Sequence, residues 1–215
     1  MRVERVEPGL VAPETGALRT KTFRWLLKEN LKLAAGTTLV DLGAGPCKFS
    51  QIARDLGFKA TAVDVRDERL PQDLNDIAFV KSDVRTYDPR GFDVVCIIGL
   101  LYHLTLEDQI DLLTRCPVTS TVIIDTQIHV PELVVQEVNR DGFADRIVTE
   151  GPYTGVLYPE LNNPMASWGN KTSFWHTEAS LVSLLENTGR NWVRIVDPPY
   201  VSKYGARSWF VAGAA

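Results

Sequence analysis

The sequence predicts a doubly wound α/β fold: a mostly parallel sheet of seven strands with helices on both faces and one inserted lid. Three observations carry this reading. Short apolar runs alternate with helix-period segments from residue 38 to residue 125, and such alternation calls for parallel strands joined by right-handed crossovers. A Gly-x-Gly turn, Gly43-Ala44-Gly45, directly follows the first of those runs and opens a helical pattern. Aspartates, Asp41, Asp64 and Asp83, close the first three runs.

The elements follow in order. Residues 1–18 carry Pro8, Gly9, Pro13 and Gly16 and read as an extended arm. Phe23, Leu26, Leu27 and Leu31 recur at helical spacing within 20–33, and Gly36 stops the helix. Arm and helix together occupy residues 1–35. Thr38–Asp41 is a short buried strand. A helix with Phe49, Ile52, Ala53 and Leu56 on one face follows and stops at Gly57. Strands are expected over 60–64 and 77–81, and the unbroken β-rich run 93–98 reads as a strand buried on both faces. Thr105 caps a helix whose inward stripe is Leu106, Ile110 and Leu113, and 121–125 is another buried strand.

Residues 126–176, rich in Gly, Pro, Asn, Tyr and Trp, are too many for a plain connector and read as a lid or substrate-binding insertion. Thr177 caps a last helix bearing Leu181, Leu184 and Leu185, stopped by Gly189, and 192–196 with 208–212 form a closing antiparallel pair. The 215 residues suit a single domain over 1–215.

Composition narrows the classes. Apolar residues make up 45% and charged residues 23% of the chain, ordinary for a globular protein. A formal net charge of −4 gives no electrostatic reason to expect a nucleic-acid partner. Neither an apolar signal core nor a membrane span is expected. Cys47, Cys96 and Cys116 are isolated, which fits reduced thiols in a cytoplasmic protein.

The glycine turn decides the ligand class. Glycines at a strand-to-helix turn let a ligand approach the backbone where a Cβ would not fit. Asp64 lies 21 residues beyond Gly43, a spacing that suits a carboxylate on a ribose diol. A nicotinamide dinucleotide fits less well. Its third glycine position holds Lys48, Pro46 removes a donor from the helix N-terminus, and Asp41 would face a pyrophosphate. These residues resemble the nucleoside-binding motifs of the class I S-adenosylmethionine-dependent methyltransferases, over roughly residues 36–126.

That resemblance implies S-adenosyl-L-methionine as cofactor. Asp41, Gly43, Ala44 and Gly45 would line its methionine part, with Asp41 near the cationic amino group. Asp64 would hold the ribose hydroxyls and Val65 would lie along the adenine. Asp83, between Ser82 and Val84, would accept from the adenine amino group, and Gly99 would sit beneath the sulfonium. The family pattern usually has a further glycine where this chain has Cys47.

Methyl transfer is an in-line displacement, and a hydroxyl acceptor needs a base. Three histidines qualify by position. His103 follows the fourth strand, His129 lies four residues after Asp125, and His176 precedes the last helix cap. His103 and His129 are the candidate bases. Asp125 either orients a histidine or, with His129, supplies two ligands toward Mg²⁺. No metal-ligand set is assigned.

The segments Tyr153–Glu160 and Ala166–Trp175 resemble the aromatic, Asn-rich lid of bacterial sugar and polysaccharide O-methyltransferases, with mycobacterial enzymes acting on methylmannose polysaccharides as candidate relatives. Tyr158, Trp168 and Trp175 would offer flat faces to pyranose rings, with Tyr102 and His176 beside them. The expected activity is therefore methyl transfer to a hydroxyl of a sugar or oligosaccharide. The alternatives are a tRNA base, a small natural product, or a cofactor-binding domain without turnover. A homodimer that exchanges arm or lid is compatible with the sequence.

Overall fold

The computed structural model describes residues 1–12, 14–136, 138–139, 141–160, 167–202 and 204–214. Pro13 of the arm and Ala166 of the lid lie outside the described residues. In chain order the elements are β1 (Arg2–Val6), α1 (Thr15–Trp25), β2 (Thr38–Leu42), α2 (Lys48–Asp55), β3 (Lys59–Asp64), β4 (Ile77–Lys81), β5 (Val94–Ile98), α3 (Leu106–Arg115) and β6 (Thr121–Gln127). There follow β7 (Ile147–Glu150), β8 (Tyr153–Pro159), β9 (Thr172–His176), α4 (Glu178–Asn187), β10 (Trp192–Val196), β11 (Tyr200–Ser202) and β12 (Gly205–Gly213).

The central sheet runs β1-β10-β12-β6-β5-β2-β3-β4, with β11 paired to β12. From β6 to β4 every pairing is parallel, whereas β12 is antiparallel to both β6 and β10. Two cores flank it, and β5 shows how its side chains divide. Val95 and Ile97 pack with Leu112, Leu113, Leu181 and Leu184 from α3 and α4. Val94, Cys96 and Ile98 pack with Phe23, Ile52 and Ala53 from α1 and α2. Successive strand residues point to opposite faces, so a strand apolar at every position is one covered on both sides. With both faces covered, the exposed carboxyl edge of the sheet is where the loops meet.

The structure departs from the sequence expectations at the edges. The sheet has nine strands, not seven. Arg2–Val6 is no extended arm but a strand parallel to β10, in register Val3 with Val193 and Val6 with Val196. Its charged residues suit an outermost strand, which charge protects from further pairing. The first helix begins earlier than expected and ends in a wider turn, Leu26–Asn30. There the Leu31 amide donates to Leu26 O at 2.9 Å, and the extra residue per turn buries Leu26 and Leu27 side by side.

The 126–176 region is not irregular throughout, because β7, β8 and β9 form a separate antiparallel sheet. That sheet is fastened to the loop after β5. The Phe174 amide donates to Leu104 O at 3.0 Å, and Gln109 Nε2 donates to Phe174 O at 2.8 Å. No helix among the described residues is long and apolar enough to cross a membrane.

Both helices bounded by threonine caps behave as their sequences dictate. Thr105 Oγ1 accepts from the Asp108 amide at 3.2 Å, and Thr177 Oγ1 accepts from the Ser180 amide at 3.3 Å. Thr177→Ala is expected to lower stability by about 1 kcal/mol, read as a reduced urea midpoint at unchanged m-value. Thr177→Ser should recover most of the loss.

Candidate cofactor and acceptor site

The turn after β2 is built on left-handed backbone. Gly43 has φ +72° and Gly45 φ +52°. A Cβ on Gly43 would stand 2.9 Å from Leu100 Cδ1, so the glycine lets the β5 loop close against the turn. Gly43 and Ala44 donate their amides to Val63 O at 2.8 and 3.1 Å, tying the turn to the end of β3. Cys47 also adopts φ +55°. A side chain strains this conformation, which glycine adopts freely.

The three strand-end carboxylates sit in different environments. Asp41 is buried and accepts from Ser50 Oγ at 2.7 Å. Burial pushes its carboxyl up to about 6, an effect the Ser50 bonds partly oppose. Asp64 accepts from the Gly45 amide at 2.8 Å through Oδ2 and from the Arg66 amide at 2.9 Å through Oδ1. Asp83 is gripped by Arg85, whose Nε and Nη2 donate at 3.0 and 2.6 Å to Oδ2 and which holds the carboxyl below its ordinary range.

A cleft between these strand ends is lined by Gly43, Gly45, Asp64, Val65, Asp83, Val84 and Gly99, together with Arg66, Arg69, Leu100 and His103. Asp41, Ala44 and Ser82, also singled out from the sequence, are not in that lining. Ala44 is buried behind the turn. The hydroxyl of Ser82 turns to Asp83 O at 3.5 Å.

The acceptor candidates separate clearly. His103 borders the cleft, and its Nδ1 lies 3.1 Å from Glu160 Oε1. Glu160, just past β8, is buried, and its Oε2 has no partner among the described residues. Sequence reasoning missed this carboxylate. Its one signal was an acid ending an apolar, aromatic lid strand. Asn170 Nδ2 donates to His103 O at 2.9 Å, so two lid residues hold the histidine.

His129 is buried and both its ring nitrogens lack partners among the described residues. Burial holds the imidazole below its usual range. His176 is also buried, bonded through Nδ1 to Ser180 Oγ at 2.7 Å and lowered by burial to about 3. It therefore packs as a neutral core group and is no sugar contact.

Asp125 orients neither histidine. Its carboxylate receives Arg207 Nε and Nη2, each at 2.8 Å, Arg19 Nε at 2.8 Å and the Tyr200 hydroxyl at 2.6 Å. Those donors also remove it from the expected pairing with His129 toward Mg²⁺. Among the described residues no group of three or more His, Cys, Asp or Glu side chains could hold a metal ion.

The aromatic candidates divide too. Trp175 is buried, donates Nε1 to Tyr102 O at 3.0 Å and stacks on Tyr158 with centroids 4.4 Å apart. It closes the lid core instead of facing a ligand. Trp168 is 54% exposed beside Arg66, which borders the cleft and lies 5.4 Å from its ring. The half-buried Tyr102 ring is 4.1 Å from that of His103.

A family model described as FtsJ-like methyltransferase matches residues 23–126. Solved structures match over nearly the whole chain. The N-terminal domain of EvdMO1 with S-adenosylhomocysteine bound has TM-score 0.67 and 21% identity, covering 96% of this chain and 84% of that one. The Burkholderia thailandensis 1,6-didemethyltoxoflavin-N1-methyltransferase has TM-score 0.60 and 18% identity, covering 91% and 78%. Magnesium protoporphyrin IX methyltransferase from Synechocystis PCC 6803 has TM-score 0.63 and 13% identity, covering 93% and 83%. This is the class I methyltransferase fold. Comparison with curated protein sequences gives no match.

On this methyltransferase fold, Asp41 is a charge the folded chain holds at a cost. Folding raises its carboxyl from 3.8 to about 6, so ionisation opposes folding. The penalty is absent below pH 3.8, grows as pH rises and is complete above about 6. Asp41→Asn, able to keep the Ser50 bond, should therefore stabilise the ligand-free protein at pH 7.5 by up to about 3 kcal/mol. The gain should vanish near pH 4 in denaturant titrations.

Proposed function

We propose that the protein is an S-adenosylmethionine-dependent methyltransferase acting on a hydroxyl of a sugar or sugar-like small molecule. The observation that carries the acceptor chemistry is the pairing of His103 with the buried Glu160 at the mouth of the glycine-turn cleft. The fold and the FtsJ-like match support the cofactor. When bound, that cofactor supplies an electrophilic methyl group on a sulfonium.

The residues present fit it. Gly43 and Gly45 bring bare backbone to the wall of the cleft. Each Asp64 oxygen uses one lone pair on a backbone amide, leaving another for a ribose hydroxyl. Asp41 offers negative charge beneath the turn, suited to an ammonium group.

Glu160 accepts from Nδ1–H of His103, which fixes the tautomer and leaves Nε2 as the acceptor. Nε2 then takes the proton of the substrate hydroxyl as the oxygen becomes nucleophilic, and the buried carboxylate stabilises the imidazolium formed. Tyr102 and Trp168 offer the flat apolar faces a pyranose stacks on. The EvdMO1 domain has also been crystallised in the presence of S-adenosylhomocysteine and D-fucose, at 20% identity and TM-score 0.67, which supports a sugar-like acceptor.

Calorimetric titration should show micromolar S-adenosylmethionine binding, absent for NAD⁺ and weakened at least about tenfold by Asp64→Ala. Tight NAD⁺ binding instead would overturn the cofactor reading. His103→Ala is expected to lower kcat at least about 100-fold on the true acceptor with cofactor affinity unchanged, while His129→Ala remains active. Glu160→Gln should lower kcat about tenfold or more and mix the His103 tautomers in ¹⁵N spectra. Full activity of His103→Ala would remove the base assignment.

A further inference from the structure

The cluster around Asp125 is saturated with donors yet not neutral. Two guanidiniums, Arg19 from α1 and Arg207 from β12, share one buried carboxylate, and the third donor, Tyr200, is uncharged. Neither arginine has a second carboxylate within ion-pair distance among the described residues. Asp41 feels the charge of Arg19 from beyond ion-pair distance, and within that distance one positive charge is left over.

That charge borders Gly99. A Cβ on Gly99 would lie 2.9 Å from Arg19 Nη2 and 3.2 Å from Arg207 Nη2. The Arg207 guanidinium also lies 4.8 Å from the centre of the Tyr102 ring, the same ring that adjoins His103. A cation, an aromatic face and the base thus stand in series.

Sheet order places this cluster across β5 from the glycine turn, the two meeting at Gly99, which lines the cofactor cleft. Asp125 and Arg207 belong to β6 and β12, on one side of β5, whereas the glycine turn, Asp64 and Asp83 belong to the β2–β4 side. Arg19 and Arg207 are absent from the cleft lining. An unpaired buried cation is costly, and here the Arg19 side chain, 24% exposed, keeps part of its charge in water. A ligand carboxylate replacing that water would gain a charge-assisted bond.

We propose that Arg19 and Arg207 form a carboxylate-binding subsite for the acceptor beside Gly99, making the methylated molecule an acidic sugar or related hydroxy acid. This rests on the methyltransferase reading above and narrows its substrate class. Asp125 is the fixed counter-charge that holds both guanidiniums in place.

Arg19→Gln removes the excess charge while leaving the Arg207–Asp125 pair and the Tyr200 bond intact. Wild type saturated with S-adenosylhomocysteine would be titrated by NMR with methyl β-D-glucuronide and methyl β-D-glucoside, a pair differing in one carboxylate. The glucuronide should bind wild type about tenfold more tightly or better, the range of one charged hydrogen bond. Arg19→Gln should cut that preference below about threefold and leave S-adenosylhomocysteine affinity within about twofold; Arg19→Lys should keep most of the preference. Equal affinity for the two glycosides, or no binding of either, overturns the proposal. So does an Arg19→Gln variant that loses S-adenosylhomocysteine affinity about tenfold yet keeps the sugar preference, since the charge would then serve the cofactor's own carboxylate. Failure of wild type to bind S-adenosylhomocysteine at all would instead defeat the methyltransferase reading.

Discussion

A side chain at residue 43 would collide with Leu100, and much of the site follows from that contact. Because Gly43 has no Cβ and can hold φ +72°, the turn after β2 lies directly against the loop after β5. The first carries the amides that approach a ligand, and the second carries Gly99 and His103. Two segments more than fifty residues apart therefore share one cleft. The Val63 carbonyl and the Asp64 carboxylate fasten the same turn to β3, so three strand ends are joined at one turn.

Charged groups of both signs line the carboxyl edge, Arg66 and Arg69 standing beside Asp64 and Asp83. Asp41, Asp64 and Asp83 stand at the ends of β2, β3 and β4, where a cationic, diol-bearing nucleoside is to be met. Arg19 and Arg207 stand over β6 and β12. The two regions meet at Gly99, and the left-handed glycine there admits guanidinium groups from one side without closing the cleft on the other. Donor and acceptor of a methyl group must be brought in line.

The small second sheet positions His103. Glu160 at the end of β8 reaches His103, Asn170 holds the His103 carbonyl, and Trp175 bonds the Tyr102 carbonyl. Most of its aromatic residues are consumed in this fastening. Tyr158 and Trp175 stack on one another, and Trp168 alone among the three lid candidates stays largely open to solvent.

The sequence by itself determined the parallel strands β2 to β6, both threonine caps and the glycine turn after β2. Each of these is local or periodic: β-branched runs, residues at fixed spacing and glycines at turns report their structure within a few positions. Asp64, Asp83 and Gly99, singled out through the family resemblance, lie in one cleft because strand ends in this topology share one edge. Only the tertiary structure decided the partners. The neutral packing of His176, the capture of Asp125 by two arginines and the pairing of His103 with Glu160 join residues 4 to 106 positions apart. Arg2–Val6 became a strand only because β10 offered it an open edge. Burial and partner choice depend on what the folded chain brings alongside, and no local pattern of charge or hydropathy encodes that.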